Sequence, residues 1–232
     1  MLDVPARARR RRAPPRLVHG LLVLVAALAS AGASACEEVP RTFSSADASS
    51  EAMFVDHFSR EALGPDWRAT GDGATLEAGA LVVEGVQNHP VWLTRPLPDD
   101  VRIDFDTWTD SDEGDIKFEL AGDGASAATS MNYVASGYVV IFGGWNNSLS
   151  GVFRKQEHGN AKQVSDRVAV EPGRRYHVTL TRIGPTIRFE LDAQEVVTYE
   201  DPRPLHGEGQ RHFAFSGWES RVHFDNLEIR AL

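Results

Sequence analysis

The residue order predicts an all-β protein, built as a two-sheet sandwich or a barrel of about a dozen short strands. Apolar residues alternate with polar ones at a period of two in segment after segment. Clusters of Gly, Pro, Asp and Ser separate those segments. Nowhere does an apolar 3.6-residue pattern persist for ten residues between helix caps.

Taken in order, the predicted strands are 53–58, 80–84, 91–94, 101–108, 115–120, 137–142, 151–154, 176–181, 186–191, 195–199, 212–218 and 222–230. In 101–108 the odd positions are Val101, Ile103, Phe105 and Thr107, and the even ones are mostly polar. In 115–120 and 176–181 the alternation is complete, the pattern of a strand with one covered face. Turn signals fall at 70–73, 98–100, 122–124 and Pro172-Gly173. The segment 121–135 is rich in Gly, Ala and Ser and reads as a lid or a floppy loop. About 180 residues is a reasonable size for one sandwich.

Ahead of this domain, residues 1–16 carry Arg7, Arg9, Arg10, Arg11, Arg12 and Arg16 against Asp3, and an apolar run follows from Leu21 to Ala31. That run has the length of a signal-peptide core and is too short to span a bilayer. Ala33-Ser34-Ala35-Cys36 resembles a bacterial lipobox, in which the cysteine is acylated and becomes the mature N-terminus. Cys36 is the chain's single cysteine. Ordinary secretion is the alternative, because Ala33-Ser34-Ala35 also fits the A-x-A cleavage rule. The expected organisation is a signal peptide at 1–35, an acylated Cys36 with a flexible tether through 52, and the β-sandwich at 53–232. Glu37 after the cysteine favours an outer-membrane destination over retention, so the expected location is the cell envelope and the expected partner there a membrane, through the lipid.

Charge and cysteine content bound the function. A single cysteine excludes an intrachain disulfide framework and a Cys₄ zinc site. The 232-residue chain has a formal net charge of −9. The first 36 residues hold six Arg and one Asp, a net of +5, so the remainder carries −14. Such a surface repels anionic polymers and argues against nucleic acid as a partner.

Several segments resemble the concanavalin A-like lectin/glucanase jelly roll: Phe54-Val-Asp-His-Phe58, Gly64-Pro-Asp-Trp67, the run from Ser136 to Trp145, Pro172-Gly-Arg-Arg-Tyr-His-Val-Thr179, Thr186 to Asp192, and Val222-His-Phe-Asp-Asn-Leu-Glu-Ile229. The resemblance covers essentially all of 53–232 and is nearest to family 16-like and 3-keto-disaccharide hydrolase-like domains. It implies a two-sheet antiparallel jelly-roll sandwich with a concave face. Its motifs specify the fold better than an activity.

Family 16 glycosidases carry Glu-x-Asp-x-Glu, or a version one residue longer, on a strand of the concave sheet. The nearest segment here is Glu113-Gly-Asp-Ile-Lys-Phe-Glu119. Glu113 and Glu119 lie about 20 Å apart along an extended strand, too far to converge. Asp115 and Glu119 share a face at the family spacing, about 13 Å between backbones. Lys117 stands between them, however, and a lysine there is expected to hold both ionised, whereas an acid catalyst must carry a proton. A solvated strand face with an internal charge pair is the competing reading. No G-x-S-x-G elbow, H-E-x-x-H, P-loop or G-x-G-x-x-G occurs.

Two places suggest calcium. The acidic loop Asp110-Ser-Asp-Glu-Gly-Asp115 has the oxygen density the ion prefers but not the EF-hand spacing. By resemblance, Asp56 and Asp225 occupy the first and last strands, where jelly rolls of this group often hold a structural Ca²⁺. Turn caps and solvated carboxylates explain the same residues without metal.

Sugar binding is the function the aromatic residues favour most. Flat rings stack on sugar C–H faces, while amides and guanidinium groups bind hydroxyls. Phe142-Gly-Gly-Trp-Asn-Asn-Ser148 sets Trp145 beside Asn146 and Asn147 on a glycine-rich loop, and binding residues tend to sit on such loops. Tyr138, Arg154 and His158 are nearby in sequence. Trp92 and Trp108 are expected to pack, and Trp67 and Trp218 to fill the sandwich interior. The reading is a lectin-like protein that binds a neutral glycan through Trp145, Tyr138, Asn146, Asn147 and Arg154. A glycoside hydrolase using Asp115 and Glu119, or a structural or adhesive envelope protein, are the alternatives.

Overall fold

The computed structural model describes residues 51–232, which lie within one contact unit. The signal segment, Cys36 and nearly all of the tether lie outside the described residues. Fifteen strands form among those described: β1 (Phe54–Asp56), β2 (Trp67–Ala69), β3 (Ala74–Glu77), β4 (Ala80–Val83), β5 (Val91–Leu93), β6 (Val101–Thr109), β7 (Ile116–Gly122), β8 (Tyr138–Gly143), β9 (Leu149–Arg154), β10 (Lys162–Ser165), β11 (Tyr176–Ile183), β12 (Thr186–Leu191), β13 (Gln194–Glu200), β14 (His212–Gly217) and β15 (Val222–Ala231). A single helical turn, α1 (Gly144–Asn147), joins β8 to β9.

They form two antiparallel sheets, as the alternation predicts. One runs β13-β12-β11-β6-β15-β4-β3, with β1 added against β15; the other runs β10-β9-β8-β7-β14-β5-β2. The fold is a two-sheet jelly-roll sandwich. Neighbours within a sheet such as β6-β15 and β7-β14 are far apart in sequence, because the chain crosses repeatedly from one sheet to the other. Tight reversals close the hairpins. Asp192-Ala193 between β12 and β13, and Ala78-Gly79 between β3 and β4, are two-residue turns with positive φ at both positions, the arrangement whose twist matches the strands.

The inward residues of the two sheets meet in an aromatic core. Phe105 of β6 packs edge-on against Phe118 of β7 and Phe215 of β14, each with centroids 5.1 Å apart. Phe215 in turn stacks on Phe224 of β15 at 4.2 Å. All four rings are fully buried, each stabilising the fold by about 1.5–3 kcal/mol relative to exposure. Trp67 joins this core, as its sequence context predicts, and its indole N–H donates to Asp56 Oδ2 at 2.8 Å.

Three strands depart from expectation. β2, β3 and β10 are edge or near-edge strands of three or four residues, too short or too polar to show a period. β7 starts at Ile116, because Asp115 takes φ 63° and leaves the strand conformation. The larger difference is burial. Alternation in 115–120 implies one wet face, yet every residue of β7 and β8 is buried. The outer face of the second sheet is covered by the chain between β7 and β8.

Candidate functional site

That covering segment follows Gly122. Asp123 fixes its start: its carboxylate accepts the Ala125 and Ser126 amides, both at 2.8 Å. The Ser126 carbonyl accepts the Trp92 indole N–H at 2.9 Å, and the Ala128 amide donates to the Asn88 carbonyl at 2.9 Å. Further on, Tyr133 and Ala135 pack with Val139, Ile141 and Phe153 on the sheet's outer face. The segment is thus a lid seated on the sheet, and Trp92 is buried beneath it. Glu119 lies under Tyr133, whose hydroxyl donates to Oε1 at 3.0 Å. Burial pushes the Glu119 carboxyl up to about 8, more than the tyrosine hydrogen bond lowers it, and the Tyr133 hydroxyl is pushed up in turn.

Beside the lid the face opens into a cavity of about 290 Å³. Trp145 and Trp218 both line it, with Asn146, Asp115, Lys117 and Glu157. Lys117 is the buried hub. Its ammonium donates to Glu157 Oε2 at 3.1 Å and to Asn88 Oδ1 at 3.2 Å, and lies 3.6 Å from Asp115 Oδ1. It also sits 5.7 Å from the Trp218 ring centroid, within cation–π range. Three separate chain segments are therefore tied together by one side chain. Burial raises the Asp115 carboxyl; Lys117 pulls it down and Glu157 pushes it up again.

Trp145 is held in place by an unusual turn. α1 is left-handed at Trp145 (φ 52°, ψ 61°) and Asn146 (φ 56°, ψ 50°), and Asn147 follows at φ 58°. Left-handed helical geometry costs an L-residue about 1–2 kcal/mol, less for Asn. The surroundings offset it. Asn147 Nδ2 donates to the Val170 carbonyl and its Oδ1 accepts the Val170 amide, both at 2.7 Å. Ser148 Oγ donates to the Trp145 carbonyl at 2.7 Å. Gly143, at φ 70°, has no room for a side chain: a Cβ there would lie 2.5 Å from Val170 Cγ2. The indole emerges 38% exposed, 5.4 Å from Phe153 and 5.9 Å from His158 by ring centroid. Strain of this kind concentrates at functional sites.

The sequence-predicted residues divide accordingly. Trp145 and Asn146 line the cavity. Asn147 anchors the turn through its whole amide. Tyr138 and Arg154 must be reassigned. They are cross-strand partners on the core side of the sheet, and both bond to the buried Asp201. Tyr138 is 1% exposed, so it offers no surface to a sugar. Asp115 and Glu119 do not work as a pair either: Asp115 has left the strand and lines the cavity, while Glu119 is sealed under Tyr133. Lys117 does not hold Glu119 ionised, because desolvation outweighs its field.

The metal expectation at Asp56 and Asp225 does not fit what surrounds them. Asp56 accepts two hydrogen bonds from Arg60 plus the Phe58 amide and the Trp67 indole. Burial pushes its carboxyl up, but these donors together hold it below its ordinary range. Asp225 pairs with Arg175 at 2.6 Å. Among the described residues no group of three or more His, Cys, Asp or Glu is placed to hold a metal, the acidic loop included. Trp108 is neither core nor cavity. It lies on the other sheet, stacked on His223 at 4.8 Å and capped by the Arg175 guanidinium at 4.5 Å.

Trp218 and Glu157 are the site residues that sequence reasoning missed. Trp218 was expected in the interior because tryptophan is highly buried on average. It lies just past β14, whose inward residues are Phe213 and Phe215, so a period of two puts it on the outer face, where it lines the cavity. Glu157 sits in a loop and carries no motif.

No family model matches the chain, and no curated protein does. The structure is similar to the carbohydrate-binding module CBM66 from Bacillus subtilis, with a TM-score of 0.55 and 13% identity over 72% of this chain and 96% of that one. It is also similar to SCLam, a non-specific endo-β-1,3(4)-glucanase from family GH16, at a TM-score of 0.54 and 12% identity, covering 82% of this chain and 93% of that one. The Emp46p carbohydrate recognition domain matches at 0.50 and 13% identity, covering 71% and 87%. At these identities the likeness establishes the fold, which is concanavalin A-like.

Proposed function

We propose that this protein binds a neutral glycan, with Trp145 and Trp218 as the stacking surfaces and Asn146 as a hydrogen-bonding side chain. The observation that carries this reading is the cavity itself: two indoles and several polar groups converge on an open hollow, one indole presented by a strained turn. Pockets that take small ligands have this mixture of apolar wall and few placed polar groups. Similarity in fold to proteins named for carbohydrate binding adds support. The reading includes export and attachment to the cell envelope through acylated Cys36, so that a membrane is the second partner.

The test is retention on neutral polysaccharide gels by the full-length chain. The expected result is retardation that Trp145→Ala reduces at least about tenfold in affinity, with an unchanged circular dichroism spectrum. Equal retardation of the variant overturns the assignment of this site. One observation favours a hydrolytic reading as well: burial raises the Asp115 carboxyl above its ordinary range at the cavity edge, the direction a general acid requires. New reducing ends in the same samples, abolished by Asp115→Asn, are its signature.

A further inference from the structure

The charge of the cavity narrows what sugar it takes. Four carboxylates line it, Glu113, Asp115, Glu157 and Glu219, against one ammonium, Lys117. That ammonium is fully engaged by Asn88, Glu157 and Asp115. Glu113 and Glu219 stand exposed at the mouth and take part in no ion pair among the described residues. Glu219 accepts only a long hydrogen bond from Gln87 at 3.4 Å.

A second, independent feature points the same way. The cavity wall already holds one cation against an aromatic face, since Lys117 lies over Trp218. Trp145 offers another indole, 38% exposed, with no Lys or Arg stacked on it among the described residues. An indole face bordered by carboxylates attracts an ammonium through the ring quadrupole and through charge-assisted hydrogen bonds. The same arrangement repels a uronate, a sialate or a sulfated sugar.

We propose that the sugar seated in this cavity carries a free amino group, so that the ligand is a hexosamine-containing glycan whose ammonium is received by Glu113 and Glu219 beside the Trp145 indole. This rests on the glycan reading above and departs from it in one respect: the seated sugar carries an ammonium instead of being uncharged. The binding carboxylates differ from those that hold Lys117, so the organising ion pairs stay intact when the ligand leaves. Burial is the main cause of the raised Asp115 carboxyl; Lys117 lowers it, and Glu157 and Glu113 raise it further.

The test is a set of titrations of the full-length chain at 150 mM salt, followed by the indole N–H resonances and by calorimetry. The probes are short β-linked oligomers of glucosamine, glucose, N-acetylglucosamine and galacturonic acid. The expected result is binding of the glucosamine oligomer about tenfold tighter than the glucose oligomer, with no binding of galacturonate. In the double variant Glu113→Gln/Glu219→Gln that preference falls to within about twofold. The distant surface variant Glu195→Gln, on β13 of the other sheet, leaves it unchanged. Equal affinity for glucosamine and glucose overturns the amino-sugar proposal and leaves the glycan reading standing. A preference that survives Glu113→Gln/Glu219→Gln traces to the overall acidity of the chain and also overturns it. Failure of all four oligomers to shift the indoles of Trp145 and Trp218 removes both.

Discussion

Glu119 shows how far one residue's chemistry depends on its cover. A carboxyl that titrates near 8 when folded and near 4.5 when unfolded keeps its proton in the native state across that interval. The unfolded chain loses its proton first, so the favourable contribution of the buried neutral acid is complete below about 4.5. It declines as pH rises and is gone above about 8. The prediction is that Glu119→Gln, which keeps the acceptor for Tyr133, flattens this dependence. At pH 9 the variant should unfold at higher denaturant than the native chain, by on the order of 2 kcal/mol. An unchanged urea midpoint at pH 9 would show that the lid admits water to Glu119. Sequence reasoning placed Glu119 on the correct face of the correct strand. It missed the titration because the covering tyrosine arrives from fourteen residues away, in a loop with no periodic signal. Tyr138 was misread for a related reason: an alternating strand reveals two faces but not which faces the partner sheet.

At the scale of elements, α1 is where local preference and tertiary demand conflict most. Three non-glycine residues in the left-handed region do not persist without outside help, and here the help comes from Val170, Ser148 and the bare Gly143. Gly143→Ala places a methyl group against Val170 and Asn147 at a backbone angle alanine avoids. It should cost about 2 kcal/mol in denaturant unfolding. It should also shift the Trp145 indole resonance in a chain that still folds; a silent resonance would mean the turn does not set that ring. The long strands were legible because each buries one stripe against the other sheet. The Gly-Gly-Trp-Asn-Asn run was legible as a loop through its composition, but its handedness was not, since Val170 is a contact of sequence separation 23. β2, β3 and β10 were invisible because edge strands of three or four residues borrow their conformation from a neighbour.

Across the whole molecule, the two sheets pack through the aromatic core formed by Phe105, Phe118, Phe215 and Phe224, and the lid adds a third layer on one side. That layering leaves an open hollow beside the lid, with an excess of negative charge around it. The export reading belongs to this scale too. With Cys36 acylated, the protein should sediment with membranes and partition into detergent, and Cys36→Ser should move it to the soluble fraction with its fold unchanged. Recovery of the serine variant in the membrane fraction would refute the anchor. The distribution of the indoles carries an optical consequence. Of five tryptophans, Trp67 and Trp92 have their N–H groups fixed in dry surroundings, and Trp108 is clamped between an imidazole and a guanidinium. Only Trp145 and Trp218 border the hollow. Intrinsic fluorescence therefore separates into a constant blue component from the interior, a component dimmed by His223 as it takes up a proton, and a red component that responds when the hollow fills. The protein carries its own occupancy dye, readable without a label.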